Sequence, residues 1–138
     1  MSIQLPQKDL STYNVLVVDD VPINLLLVQK MLKMFNFRLR TAAGGAQALE
    51  AIAEEKPHLV LLDLMMPQVD GFEVLRRIRE NPETADIRVV ILSALNSNED
   101  IVRGFQYGAN DFISKPILME RLVNSVATQF EIIGMLQK

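Results

Sequence analysis

Asp19, Asp20, Asp63, Ser93 and Lys115 stand where short apolar runs stop. VLVV (15–18) ends on the Asp19-Asp20 pair, LVLL (59–62) on Asp63, VVIL (89–92) on Ser93, and DFIS (111–114) on Lys115. Three carboxylates brought close together repel, and each raises the others' pKa. A divalent cation removes that penalty. Oxygen donors without His or Cys favour a hard ion such as Mg²⁺, which keeps several waters and takes one or two carboxylates plus phosphate oxygens. Phosphoryl transfer needs the equatorial oxygens neutralised and a nucleophile in line. Mg²⁺, the Lys115 ammonium and the Ser93 hydroxyl together offer three contacts for those oxygens. A carboxylate can serve as the nucleophile, giving an aspartyl-phosphate.

That chemistry requires elements that bring residues 19, 63, 93 and 115 into one pocket. The uniformly apolar runs read as strands buried on both faces. Strands are expected at 15–18, 37–42, 59–62, 88–92 and 111–114. Between them, helix-period stretches read as helices at 22–35, 46–55, 72–80, 98–107 and 118–136. Pro22 falls in a first turn, where it is tolerated. Gly44-Gly45, Pro57 and Asn81-Pro82 punctuate the chain. Five β–α units in succession imply an α/β fold: a five-stranded parallel sheet, doubly wound, with helices on both faces and right-handed crossovers. In an open sheet of this kind ligands bind outside the carboxyl ends of the strands. In the flavodoxin-like order 2-1-3-4-5, strands 1, 3, 4 and 5 are neighbours, and the polar residues at their ends meet.

Composition excludes several other readings. The chain has 138 residues, a length that fits one domain. It has no cysteine, so there is no disulfide framework, thiol nucleophile or thiolate zinc site. Fourteen basic and 17 acidic residues give a net charge of −3 with no basic run, which argues against direct nucleic-acid binding. No apolar run approaches the roughly 20 residues of a membrane span, so no membrane insertion is expected. The start, MSIQLPQKDLSTY, lacks the pattern of a signal peptide. A cytoplasmic location is the expectation.

Four motifs taken in order, VLVVDD (15–20), LVLLDLMMPQVDG (59–71), VVILSA (89–94) and ANDFISKP (109–116), resemble the receiver domain of two-component response regulators, of the chemotaxis-regulator kind. The resemblance covers residues 14 to 128. It implies Asp63 as the phosphoacceptor. It implies Asp19, Asp20 and Asp63, with the Met65 main-chain carbonyl, as the Mg²⁺ ligands. It implies Ser93 as the switch hydroxyl, Lys115 as the lysine that contacts the phosphoryl group, and Phe112 as the rotating aromatic. Lys115-Pro116 matches a peptide bond that is usually cis in the family. Pro67 and Gly71 shape the loop after Asp63, and Asp70 is expected to cap the next helix. The implied function is transfer of a phosphoryl group from a partner phosphohistidine to Asp63, followed by a population shift of the helix 4, strand 5, helix 5 surface toward an output domain or effector. The implied donor is a histidine kinase or histidine phosphotransfer protein docking on helix 1.

Each assignment competes with a plainer one. Asp19-Asp20 alone would be a solvated turn with an N-cap, Asp63 alone a strand-end cap, and Lys115 alone a surface lysine; their matching places after buried strands favour the functional reading. His58, the single histidine, precedes strand 3 at its amino end and reads as structural. Met65 and Leu95 lie two residues beyond the acceptor and the switch hydroxyl, where the resemblance puts the flanks of the water's path to an acyl phosphate. Both are apolar, so slow self-dephosphorylation is expected. Ile23 and Leu25 to Val28 make helix 1 more apolar than one buried face requires. Residues 129–138 extend the last helix and read as a linker, a dimer seam or core cover, with the interaction role favoured. Residues 1–13 read as a loose arm. Two other functions compete: a phosphorylation-independent receiver-like interaction module, and a Mg²⁺-dependent phosphohydrolase using an aspartyl-phosphate. The phosphohydrolase is disfavoured by the adjacent acidic pair and the lack of room for a cap insertion. A flavin-binding flavodoxin is disfavoured because no hydroxyl- and glycine-rich loop follows strand 1.

Overall fold

A computed structural model describes residues 9–137. Its five strands are β1 (Asn14–Val18), β2 (Arg38–Ala42), β3 (Leu59–Leu62), β4 (Arg88–Ser93) and β5 (Asp111–Ser114). The helices are α1 (Pro22–Met31), α2 (Gly45–Glu54), α3 (Gly71–Glu80), α4 (Asn98–Gln106) and α5 (Met119–Leu136). All strand pairs are parallel, in the order β2-β1-β3-β4-β5. No described helix is long and apolar enough to cross a membrane.

The apolar strands behave as their composition dictates. Every residue of β1 and β3 is buried. Successive side chains point to opposite faces: Val15 and Val17 join one core with Val28 of α1 and Leu122, Val126 and Phe130 of α5. Leu16 and Val18 join the other with Ile52 of α2 and Leu75 and Ile78 of α3. Thus α1 and α5 cover one face, and α2 and α3 the other. β2, with two arginines in RLRTA, is the half-exposed edge.

Most expected boundaries shift by one residue at most, and one shifts by more. α1 ends at Met31, not near Phe35. Beyond it the amides of Lys33 and Phe35 bond three residues back, to Lys30 and Leu32, which tightens the chain into turns. Phe35 and Phe37 stack with ring centroids 5.3 Å apart, and Phe37 stacks on Phe130 of α5. Burial of these rings overrides continuation of the helix and also takes Phe37 out of the edge strand.

Residues 1–8 of the expected arm lie outside the described residues. Residues 9–13 pack against the domain: Leu10 is buried, its N–H donates to Asn36 Oδ1, and the Tyr13 hydroxyl donates to Gln137 Oε1 at the end of α5. In the 129–138 stretch, Gln129, Phe130 and Ile133 are buried, while Met135 and Leu136 are exposed. Its first turn therefore belongs to the core. On α1, Ile23, Leu26 and Leu27 are exposed beside buried Val28, as the surplus of apolar residues implied.

Candidate functional site

Sheet register puts the site together. Val18 pairs with Leu62, so the next residues, Asp19 and Asp63, lie side by side. The ladder continues one bond further, with Asp63 N–H donating to Val18 O. Ser93 pairs with Ser114, and Lys115 N–H donates to Ser93 O. Four segments distant in sequence thereby converge at the carboxyl end of the sheet.

β1, β3 and β4 end in the same local device. Asp19 Oδ1 accepts from Val21 N–H at 2.9 Å, Asp63 Oδ1 from Met65 N–H at 3.2 Å, and Ser93 Oγ from Leu95 N–H at 3.1 Å. A short polar side chain accepting from the amide two residues on turns the backbone away from the strand. This leaves each carboxylate one further oxygen. Asp19 Oδ2 accepts from Lys115 Nζ at 2.9 Å, and Asp63 Oδ2 lies 3.7 Å from the same nitrogen. Asp19, Asp63 and Ser93 are buried and Lys115 is partly so.

Asp19, Asp20 and Asp63 each offer a carboxylate oxygen within 4.8 Å of the others. Burial pushes the Asp63 carboxyl above its usual range. Lys115 opposes this, Asp19 raises it again, the Met65 N–H lowers it, and Asp20 raises it. A cluster with more negative than positive charge, all oxygen donors, is chemically suited to a hard divalent cation. The donors present fit Mg²⁺.

The loop after Asp63 is shaped by close contact. Gly71 N–H donates to Leu64 O, and a Cβ on Gly71 would stand 2.3 Å from Asp63 O and 2.6 Å from Leu64 Cα. Only glycine lets α3 start against that backbone. Asp70 caps α3, its Oδ1 accepting from Glu73 N–H at 2.9 Å. Pro67 precedes Gln68, whose φ of 65° is left-handed; proline followed by a positive-φ residue suits a tight turn. The Lys115-Pro116 peptide is cis. Phe112 is buried, with its ring against Gly104 of α4. His58 lies at the far end of the sheet, where its Nδ1 accepts from Asn14 N–H and its ring meets Tyr13 edge-on.

The chain matches the response regulator receiver domain family over residues 15–127. It belongs to that family. This receiver domain is 36% identical over 127 residues to a probable cyclic di-GMP phosphodiesterase of Vibrio cholerae serotype O1, covering 92% of this chain and 29% of that protein. It is 41% identical over 103 residues to the response regulator PleD of Caulobacter vibrioides, covering 75% of this chain and 23% of PleD. Among solved structures it resembles the signal receiver domain of a putative Luxo repressor protein from Vibrio parahaemolyticus. The TM-score is 0.85 at 30% identity, covering 91% of this chain and 95% of that one. The receiver domain thus spans less than a third of the first two relatives.

Sequence reading missed the turn amides of Val21, Met65 and Leu95 that fix the three polar side chains. Strand-ending Asp or Ser followed by a change of direction was the available signal. It also missed that Lys115 bonds Asp19 more closely than Asp63; no spacing in the chain reveals that.

Proposed function

We propose that the receiver domain accepts a phosphoryl group from a partner phosphohistidine onto Asp63. The observation that carries this reading is the split coordination of Asp63: one oxygen is tied to the Met65 amide, while the other faces Lys115 in a cluster of acidic groups. An Asp63 oxygen forms a bond to phosphorus as the bond from phosphorus to the donor imidazole nitrogen breaks, and the imidazole leaves with that electron pair. Asp19, Asp20, Asp63 and the Met65 main-chain carbonyl are the groups to hold Mg²⁺, which supplies positive charge for the phosphoryl oxygens. Lys115 turns from Asp19 to the phosphoryl group. The Ser93 hydroxyl gives up the Leu95 amide, moves inward and donates to a phosphoryl oxygen, and Phe112 fills the space vacated. The surface of α4, β5 and α5 is thereby biased toward binding an output domain, an effector or a second copy.

The donor docks beside α1. Exposed Leu27 lines an apolar groove with Met31 and the Pro116-Ile117 segment, next to Lys115, and Ile23 is exposed one turn earlier on α1. A histidine kinase or histidine phosphotransfer helix laid there would reach the pocket. The domain turns over no external substrate; it phosphorylates itself and loses the group slowly.

The test is incubation with acetyl phosphate and Mg²⁺, read by intact mass beside Asp63→Asn. A gain of one phosphoryl group that needs both Mg²⁺ and Asp63 is expected. A gain that survives in Asp63→Asn would move the acceptor elsewhere. No gain from either acetyl phosphate or a phosphohistidine donor would favour a phosphorylation-independent interaction module.

A further inference from the structure

α4 is weakly held by burial. Of its residues only Gly104 is buried, with Ile101 partly buried against the core. Two adjacent residues attach it in other ways. Arg103 holds its guanidinium carbon 4.0 Å from the centre of the Phe72 ring and 5.4 Å from that of Tyr107. The two rings stand 5.4 Å apart at 70° to each other. A cation in this position is attracted by the negative ring face. Phe72 is buried and is the second residue of α3, directly after Gly71, whose backbone lies on Asp63 and Leu64. Arg103 therefore grips a ring fixed to the loop that carries Asp63. Its neighbour Gly104 brings α4 onto Phe112: a Cβ there would stand 3.2 Å from the Phe112 ring and 2.9 Å from Ile91 Cδ1.

We propose that Arg103 is a positioning residue for the switch: through Phe72 it ties α4 to the Asp63 loop and so sets how closely Gly104 rides on Phe112. A change at Asp63 then reaches α4 through Gly71, Phe72 and Arg103 as well as through Ser93 and Phe112. The positioning role rests on Asp63 being the acceptor; the latch by itself does not. Arg103 is exposed, so its replacement leaves the fold intact.

The experiment is hydrogen exchange of the α4 amides in the full chain, before and after treatment with acetyl phosphate and Mg²⁺, in wild type, Arg103→Gln and Arg103→Lys. Before treatment, Arg103→Gln is expected to exchange α4 amides about two- to fivefold faster, with β1 and β3 amides unchanged. Arg103→Lys restores part of the protection. After treatment, the phosphorylation-dependent change in α4 exchange shrinks in Arg103→Gln. Unchanged α4 exchange in Arg103→Gln overturns the latch. Faster exchange with the full phosphorylation-dependent change retained overturns the positioning role, leaving a structural contact. If the wild type takes up no phosphoryl group, the acceptor reading fails and the positioning role falls with it, while the untreated comparison still reports the latch.

Discussion

Asp19, Asp63 and Ser93 each use one side-chain oxygen to turn the chain, and for the two carboxylates the second oxygen faces Lys115. The strand-end cap and the chemical group are thus the same residue. Cap geometry is what aims the second oxygen at Lys115, which is why local turns can preorganise a site. Met65 and Leu95, whose amides complete two of these turns, offer no polar side chain to a water at the pocket mouth. Met65 is 54% exposed and lines one pocket together with Leu95. In a Met65→Asn, Leu95→Glu double variant, the phosphorylated form is expected to lose phosphate faster by about tenfold or more. Decay followed by intact mass at the wild-type rate would refute water positioning by these two side chains. His58 gives a prediction at the opposite end of the sheet. Burial, then the Lys56 charge, lower its pKa, and the nearby Glu55 and Asp86 carboxylates oppose them without reversing the shift. The folded ring thus takes up a proton less readily than the unfolded one. Its contribution to stability is complete above about pH 6.5 and is lost as pH falls below that value, until the folded ring also protonates. Thermal melts from pH 8 to pH 5 should therefore fall more steeply for wild type than for His58→Gln. Parallel curves would count against it.

The entry to α3 shows how one element serves both stability and the site. Asp70 caps it, Gly71 presses its first turn onto Asp63 and Leu64, and Phe72 anchors the core-facing side. Asp70→Ala removes only the bond to Glu73 N–H and is expected to cost about 1 kcal/mol in urea unfolding. Gly71→Ala forces a methyl into backbone atoms and is expected to cost more than about 2 kcal/mol. It should also displace the loop that carries Asp63 and slow the proposed uptake from acetyl phosphate. Should Gly71→Ala prove no more harmful than Asp70→Ala, the close approach is not what requires glycine. α1 illustrates the converse, an element whose length is set from outside. Its sequence permits helix to Phe35, but the stacked rings of Phe35, Phe37 and Phe130 need a turn there.

At the scale of the molecule, the end of α5 and the segment 9–13 close the face opposite α2 and α3. Phe130 packs on Phe37 at 5.3 Å and on Tyr13 at 5.4 Å, and Tyr13 reaches Gln137. Phe130→Ala should therefore cost about 3–5 kcal/mol. Met135→Ala, one turn further and exposed, should change stability by less than about 0.5 kcal/mol. Similar small losses for both, measured by urea unfolding, would mean that the last turns of α5 are detached from the core. Buried Phe130 and Ile133 make the surplus apolar sequence of this helix largely core cover, with Met135 and Leu136 left over as exposed surface.

The alternation of apolar runs with helix-period stretches determined the α/β class, because a parallel sheet covered on both faces needs strands with no polar side. The polar residues closing four of the runs picked out the candidate site, since only strand ends reach the crevice. What the chain order left open was proximity: which carboxylate takes Lys115, and which amides hold Asp19, Asp63 and Ser93, follow from the register and the turns. The aromatic packing that ends α1 early, and that recruits Leu10, Tyr13 and Phe130 to one core, joins residues more than a hundred positions apart. Local periodicity carries no record of such contacts, because the burial that drives them exists only once the sheet and both its helical layers are in place.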